Sequence, residues 1–163
     1  MKAIEFISPA SVASWLPLDD RVMGGVSSSR LRYDPAGFAV FEGEVSGAHG
    51  GGFASVRHSM LALGAAHAQV YRLVVLGDGK RYKLNLRTDS SFDGVTYQAN
   101  FCPPAGQWVA VDLPVAAFEP RFRGRPVASA PPLAPQRVCQ VGLMVADRQW
   151  GPFALCLREI AVL

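Results

Sequence analysis

Few residue types that carry catalysis gather in this sequence, and where they do their spacing suits turns and surfaces better than reactions. His49, His58 and His67 recur nine residues apart, a spacing without ligand logic for a metal. Gly25-Val26-Ser27-Ser28-Ser29 has the outline of a nucleophile elbow, but serine stands at the fifth position and no strand–turn–helix context surrounds it. Val74 occupies the position where a phosphate-binding loop ending in Gly79-Lys80 would need glycine. Asp19-Asp20 place two carboxylates before a glycine turn, enough to help hold a cation with nearby carbonyls. Two carboxylates alone favour a turn whose side chains satisfy backbone N–H groups.

Two stretches suit binding. Arg121-Phe122-Arg123-Gly124-Arg125 interleaves charge with an aromatic ring, as single-strand nucleic-acid binders do, and also as solvated loops anchored by a phenylalanine do. Arg81, Lys83, Asn85 and Arg87, joined by Gln98 and Asn100, form a polar sheet face.

These residues need strands to position them. Glycines and prolines interrupt the chain about every ten residues, and short apolar or alternating runs lie between. Strands are expected at Ala3–Ile7, Phe38–Val45, Phe53–His58, Val70–Leu76, Arg81–Arg87, Thr96–Phe101, Trp108–Leu113, Val138–Val145 and Phe153–Val162. At period two, Tyr82, Leu84 and Leu86 oppose Arg81, Lys83, Asn85 and Arg87, and Tyr97, Ala99 and Phe101 oppose Gln98 and Asn100. Val141–Val145 is apolar almost throughout and reads as a central strand covered on both sides. Gly77-Asp78-Gly79 and Asp93-Gly94 are turn signals between strands. Pro126–Pro135 reads as an exposed connection crossing from one sheet to the other, and short helices fit only Pro9–Trp15 and Leu61–Ala68. Eight to nine main strands with turns between them predict an all-β, jelly-roll β-sandwich with one or two short helices.

The chain has 163 residues, 50% of them hydrophobic and 18% charged, which suits one domain over 1–163 and excludes intrinsic disorder. Net charge is +3 with a sequence pI near 9.0, a weak pointer to nucleic acid. Cys102, Cys139 and Cys156 form no C-x-x-C pair and read as reduced core thiols. Met1–Ile7 lacks the apolar stretch of a signal peptide, and no apolar run is long enough to insert in a bilayer. The expected location is therefore cytoplasmic.

Six ordered segments are more specific than a generic sandwich requires. They are Asp20-Arg21-Val22-Met23-Gly24-Gly25-Val26-Ser27, Gly51-Gly52-Phe53-Ala54-Ser55-Val56-Arg57, Gly77-Asp78-Gly79-Lys80-Arg81-Tyr82, Tyr97-Gln98-Ala99-Asn100-Phe101, Trp108 with Leu113-Pro114 and Phe118, and Gln149-Trp150-Gly151-Pro152-Phe153. In that order and spacing, from about Trp15 onward, they resemble the family of the 30-kDa complex I intermediate-associated protein. The resemblance implies a galactose-binding-like β-sandwich and, for mitochondrial members, a non-catalytic assembly factor for NADH:ubiquinone oxidoreductase. The chain departs from that pattern at Asp19 and His49, where asparagine is common, and at Arg21, which replaces a turn glycine.

The expected function is accordingly a scaffolding domain for protein partners, complex I subunits or assembly intermediates among them, with neither cofactor nor catalytic or metal site. The expected contact surface is a loop cluster of Asp20, Met23, Gly24, Gly25, Arg57, Asp78, Arg81, Gln149 and Trp150, with Met23 and Trp150 as apolar anchors. Gly24 and Gly25 would turn the chain sharply beside another loop, and Arg57 would fork onto Asp20 or Asp78. The alternatives are a carbohydrate-binding module, with Trp108, Trp150 or Tyr97 stacking on sugar, and an RNA-binding domain using Arg121–Arg125.

Overall fold

The computed structural model describes residues 2–20, 24–59, 62–91 and 93–163. Two antiparallel sheets face each other. The first contains β3 (Ser28–Asp34), β4 (Phe38–Val45), β13 (Gly151–Val162), β6 (Val70–Leu76) and β9 (Trp108–Pro114) in that spatial order, with β1 (Lys2–Glu5) also paired to β13. The second runs β11 (Arg125–Pro126), β10 (Glu119–Phe122), β8 (Thr96–Phe101), β7 (Tyr82–Arg87), β12 (Gln140–Val145), β5 (Ala54–His58) and β2 (Leu16–Pro17). This is the galactose-binding-like jelly roll that the turn motifs imply.

The alternation in the sequence builds the core directly. Tyr82, Leu84 and Leu86 of β7 and Val141, Leu143 and Val145 of β12 are fully buried, in one core with Phe41, Leu73, Leu155 and Leu157 of the opposite sheet. Burying each such side chain contributes about 1.5–3 kcal/mol. Phe41, Tyr82 and Phe153 meet at ring-centroid separations of 4.9–6.4 Å, in the tilted and edge-on arrangements aromatic rings prefer. Burial carries the Tyr82 hydroxyl far above its ordinary pKa, and the neighbouring Asp78 adds to the rise.

Four strands lie outside the expected set, each for a local reason. β3 buries only Leu31 and carries Arg30, Arg32 and Asp34, so it has no apolar alternation to signal it. β2 and β11 have two residues each. β10 and β11 make a hairpin of the basic run, which is thus partly strand rather than loop. The helices also differ. Pro9–Trp15 yields a single 3-10 turn over Pro9–Val12, and described residues 62–68 form no helix but one turn, Ala68 donating to the Ala65 carbonyl (3.1 Å), while Ala65 donates its own N–H to the Pro135 carbonyl (3.1 Å). Leu61 lies outside the described residues.

The proline-rich segment does not cross between sheets. It returns the chain from β11 at one edge of the second sheet to β12 in its interior, pinned by buried Leu133 and by the Tyr97 hydroxyl donating to the Pro131 carbonyl (2.8 Å). β12 is central as expected, but only its inner side is covered by the other sheet. Its outer residues Gln140, Gly142 and Met144 line an open groove. The cysteines are free thiols, but they are not core residues. Cys102 is exposed just past the end of β8, and Cys139 and Cys156 are half-buried, Cys156 between the inward Leu155 and Leu157 of β13.

Candidate functional site

The expected loop cluster divides into two carboxylate locks and an exposed ring. Asp20 is 1% exposed. Its Oδ1 accepts the Ser27 N–H (2.9 Å), and its Oδ2 accepts the Ser27 hydroxyl (2.6 Å) and the N–H groups of Gly52 (2.6 Å) and Phe53 (3.3 Å). Burial pushes the Asp20 carboxyl up, but these bonds together outweigh it and hold the group below the usual carboxylate range. A Cβ on either Gly25 or Gly51 would fall inside contact distance of this carboxylate, so both glycines are needed for close approach. Gly24 takes a positive φ of 85°. His49 does so too (φ 56°), a conformation asparagine tolerates well, which accounts for the asparagine expected there. Asp19 accepts from the Ser29 hydroxyl and the Ser55 N–H, so both aspartates tie their loop to residues 7 to 36 positions away rather than closing one turn. Among the described residues no group of three or more His, Cys, Asp or Glu could hold a metal ion.

Asp78 makes the second lock. It accepts from the Lys80 N–H (3.1 Å), the Tyr82 hydroxyl (3.0 Å) and the Ala154 N–H (2.9 Å), tying the β6–β7 turn to β13. Beside it the Gln149 side chain clips Arg81 through both backbone groups at 2.8 Å, and also donates to the Ala146 carbonyl. Trp150 is 50% exposed, with its ring lying over Gly47 and Gly52. Met23 lies outside the described residues. Arg57 does not fork onto Asp20 or Asp78, whose oxygens serve the bonds above; it projects instead from the outer face of β5.

There Arg57 joins a groove of about 830 Å³ across the second sheet. Strand register sets its layout. One row across the sheet is Arg57, Gly142, Asn85 and Gln98; the next is Ser55, Met144, Lys83 and Asn100; a third holds Gln140 and Arg87, and Thr96 with Arg121. Gly142, having no side chain, leaves the trough between Arg57 and Asn85, and a Cβ there would crowd the Val56 carbonyl at 2.9 Å. The polar face and the basic run, two separate surfaces in the sequence, converge here, since Arg121, Arg123 and Gly124 line the same groove.

The groove is cationic. Arg57, Lys83, Arg87, Arg121 and Arg123 line it against Asp19, Asp93 and Asp147. Asp93 pairs with Arg123 (2.6 Å) and Asp147 with Lys83 (3.3 Å). Arg87 is 2% exposed; its Nη2 donates to Ser91 Oγ (3.1 Å) and reaches Asp89 at 3.5 Å, while Gln140 braces the same turn through the carbonyls of Asp89 and Ser91. Burial, then the like charge of Arg87, push the Arg57 guanidinium below its ordinary pKa, with Asp93 opposing. Sequence reasoning missed Gln140, Gly142 and Met144; the one available signal was a glutamine heading an apolar strand.

Two of the aromatic residues expected to stack on sugar lie away from any such role. Tyr97 is buried, and Trp108 stands on β9 of the first sheet, stacked under the Arg158 guanidinium at 4.1 Å.

The jelly roll is galactose-binding-like in fold, and in fold the chain is similar to solved carbohydrate-binding modules. It matches the family 11 carbohydrate-binding module of the cellulosomal cellulase Lic26A-Cel5E of Clostridium thermocellum at TM-score 0.65 and 12% identity, over 99% of this chain and 95% of that one. The family 11 module from Clostridium thermocellum in complex with a β-1,3-1,4-mixed-linked tetrasaccharide gives 0.61 and 13% over 96% and 94%. A point mutant of the family 29 carbohydrate-binding module CBM29-2 gives 0.56 and 11% over 99% and 90%. At such identities the likeness is one of fold. No curated protein matches in sequence. The family model of complex I intermediate-associated protein 30 matches residues 4–157, and the chain belongs to that family.

Proposed function

We propose that this chain is a non-catalytic, single-domain binding module that engages protein partners in the assembly of a respiratory complex, and that its contact surface is the groove of the second sheet. The observation carrying this reading is a division of labour. Asp20, Asp78 and Gln149 spend their polar groups on internal bonds, whereas the groove gathers cations and amides from five strands. Family membership supports the complex I setting. The free thiols of Cys102, Cys139 and Cys156 fit the reducing cytoplasm, and no helix among the described residues is long and apolar enough to cross a membrane.

The test is capture by the tagged protein from its own host's lysate and solubilised membranes. Complex I subunits or assembly intermediates should be enriched by the wild type and lost with Lys83→Glu. Enrichment indifferent to Lys83→Glu would move the contact surface away from the groove. A preparation without such subunits would remove the assembly role.

A further inference from the structure

The groove's chemistry specifies its ligand more narrowly. From β5 to β10 it crosses five strands, a span of about 19 Å at the usual strand spacing, room for about six residues of extended chain. Arg57, Arg87 and Arg121 stand on β5, β7 and β10, that is, on alternate strands about 10 Å apart. Between them lie Asn85, Gln98 and Asn100, amide side chains that both donate and accept and so complement peptide groups. Among the described residues nothing donates to the buried Oδ1 of Asn85, an acceptor short of a donor.

We propose that the groove binds an extended acidic peptide segment, its carboxylates forked by Arg57 and drawn by Arg121 and Arg123, which would exchange their exposed partners Glu119 (3.2 Å) and Asp93 (2.6 Å) for it, and its backbone met by the amides above the Gly142 trough. Arg87, held beneath by Ser91 and Asp89, supplies fixed positive potential rather than direct contact. The carboxylates would also relieve the crowding of like charge between Arg57 and Arg87. This inference rests on the groove being the contact surface.

Fluorescently labelled octaglutamate is the probe, titrated against the full chain at low and moderate salt. The expected result is saturable binding that weakens with salt, and about tenfold loss in Arg57→Gln. Arg123→Glu, a change at a side chain 72% exposed and so outside the packed core, should lose at least as much. Arg72→Ala, on the other sheet, should bind as wild type. No binding, wild-type affinity in both groove variants, or preference for polyuridylate over octaglutamate would overturn the acidic-peptide assignment. If octaglutamate fails while Lys83→Glu still abolishes capture of complex I subunits, the groove stands and only its ligand is wrong. If both fail, the surface itself is wrong.

Discussion

The loop end and the groove use the same residue types to opposite ends. At the loop end, the buried carboxylate of Asp20 and the exposed one of Asp78 accept backbone N–H groups, and glycines let Asp20 in. In the groove, guanidiniums and amides stand on one face of a sheet with a glycine between them. The first arrangement ties carboxylates to backbone donors of other loops; the second sets cations, several of them paired at its margins, and amides on an outward face. Signature motifs in turns therefore need not mark a contact surface. Asp20, Gly25 and Gly51 are held by one carboxylate's need for donors and space.

That contrast can be broken most forcefully at Asp20. Asp20→Ala should destabilise the fold by about 3 kcal/mol, because several buried donors lose their acceptor, while octaglutamate binding by the folded fraction stays unchanged. Chemical denaturation checks it, and a loss under about 1 kcal/mol would dissolve the distinction. Gly51→Ala should follow at about 2 kcal/mol, since its methyl group competes with the carboxylate for space. Gln149→Ala, removing the clip on Arg81, should cost about 1 kcal/mol.

Acid offers a sharper version of the same test. The Asp20 carboxyl titrates below its ordinary value of 3.8, so its contribution is fully present above that pH and drains away as pH falls through the lowered folded value. Asp20→Asn should flatten that part of the stability profile, measured as midpoint against pH. The smallest effect belongs to the groove. Arg57→Gln should shift stability by under about 1 kcal/mol while weakening octaglutamate about tenfold, the mirror image of Asp20→Ala.

Much of this is legible in the residues themselves. The alternation in Arg81–Arg87 and Thr96–Phe101 separates core from groove residue by residue, because strand geometry makes period two a statement about faces. Arg57 on the same face as Ser55 is equally readable. What register alone decides is not. Nothing in Gly142 announces that Arg57 and Asn85 will flank it, and Asp20 finds Gly52 32 residues away because β5 docks beside that loop. β3 stays hidden because an edge strand with one buried residue has no pattern to show.

The two shortest strands carry a consequence for how this domain meets others. The seven-stranded sheet ends on one side at Leu16–Pro17 and on the other at Arg125–Pro126. A proline in each outermost strand removes a backbone donor where an incoming strand would need one. Both margins are thereby closed to strand addition, which protects the domain from edge-to-edge aggregation. A partner of this sheet must come to its face.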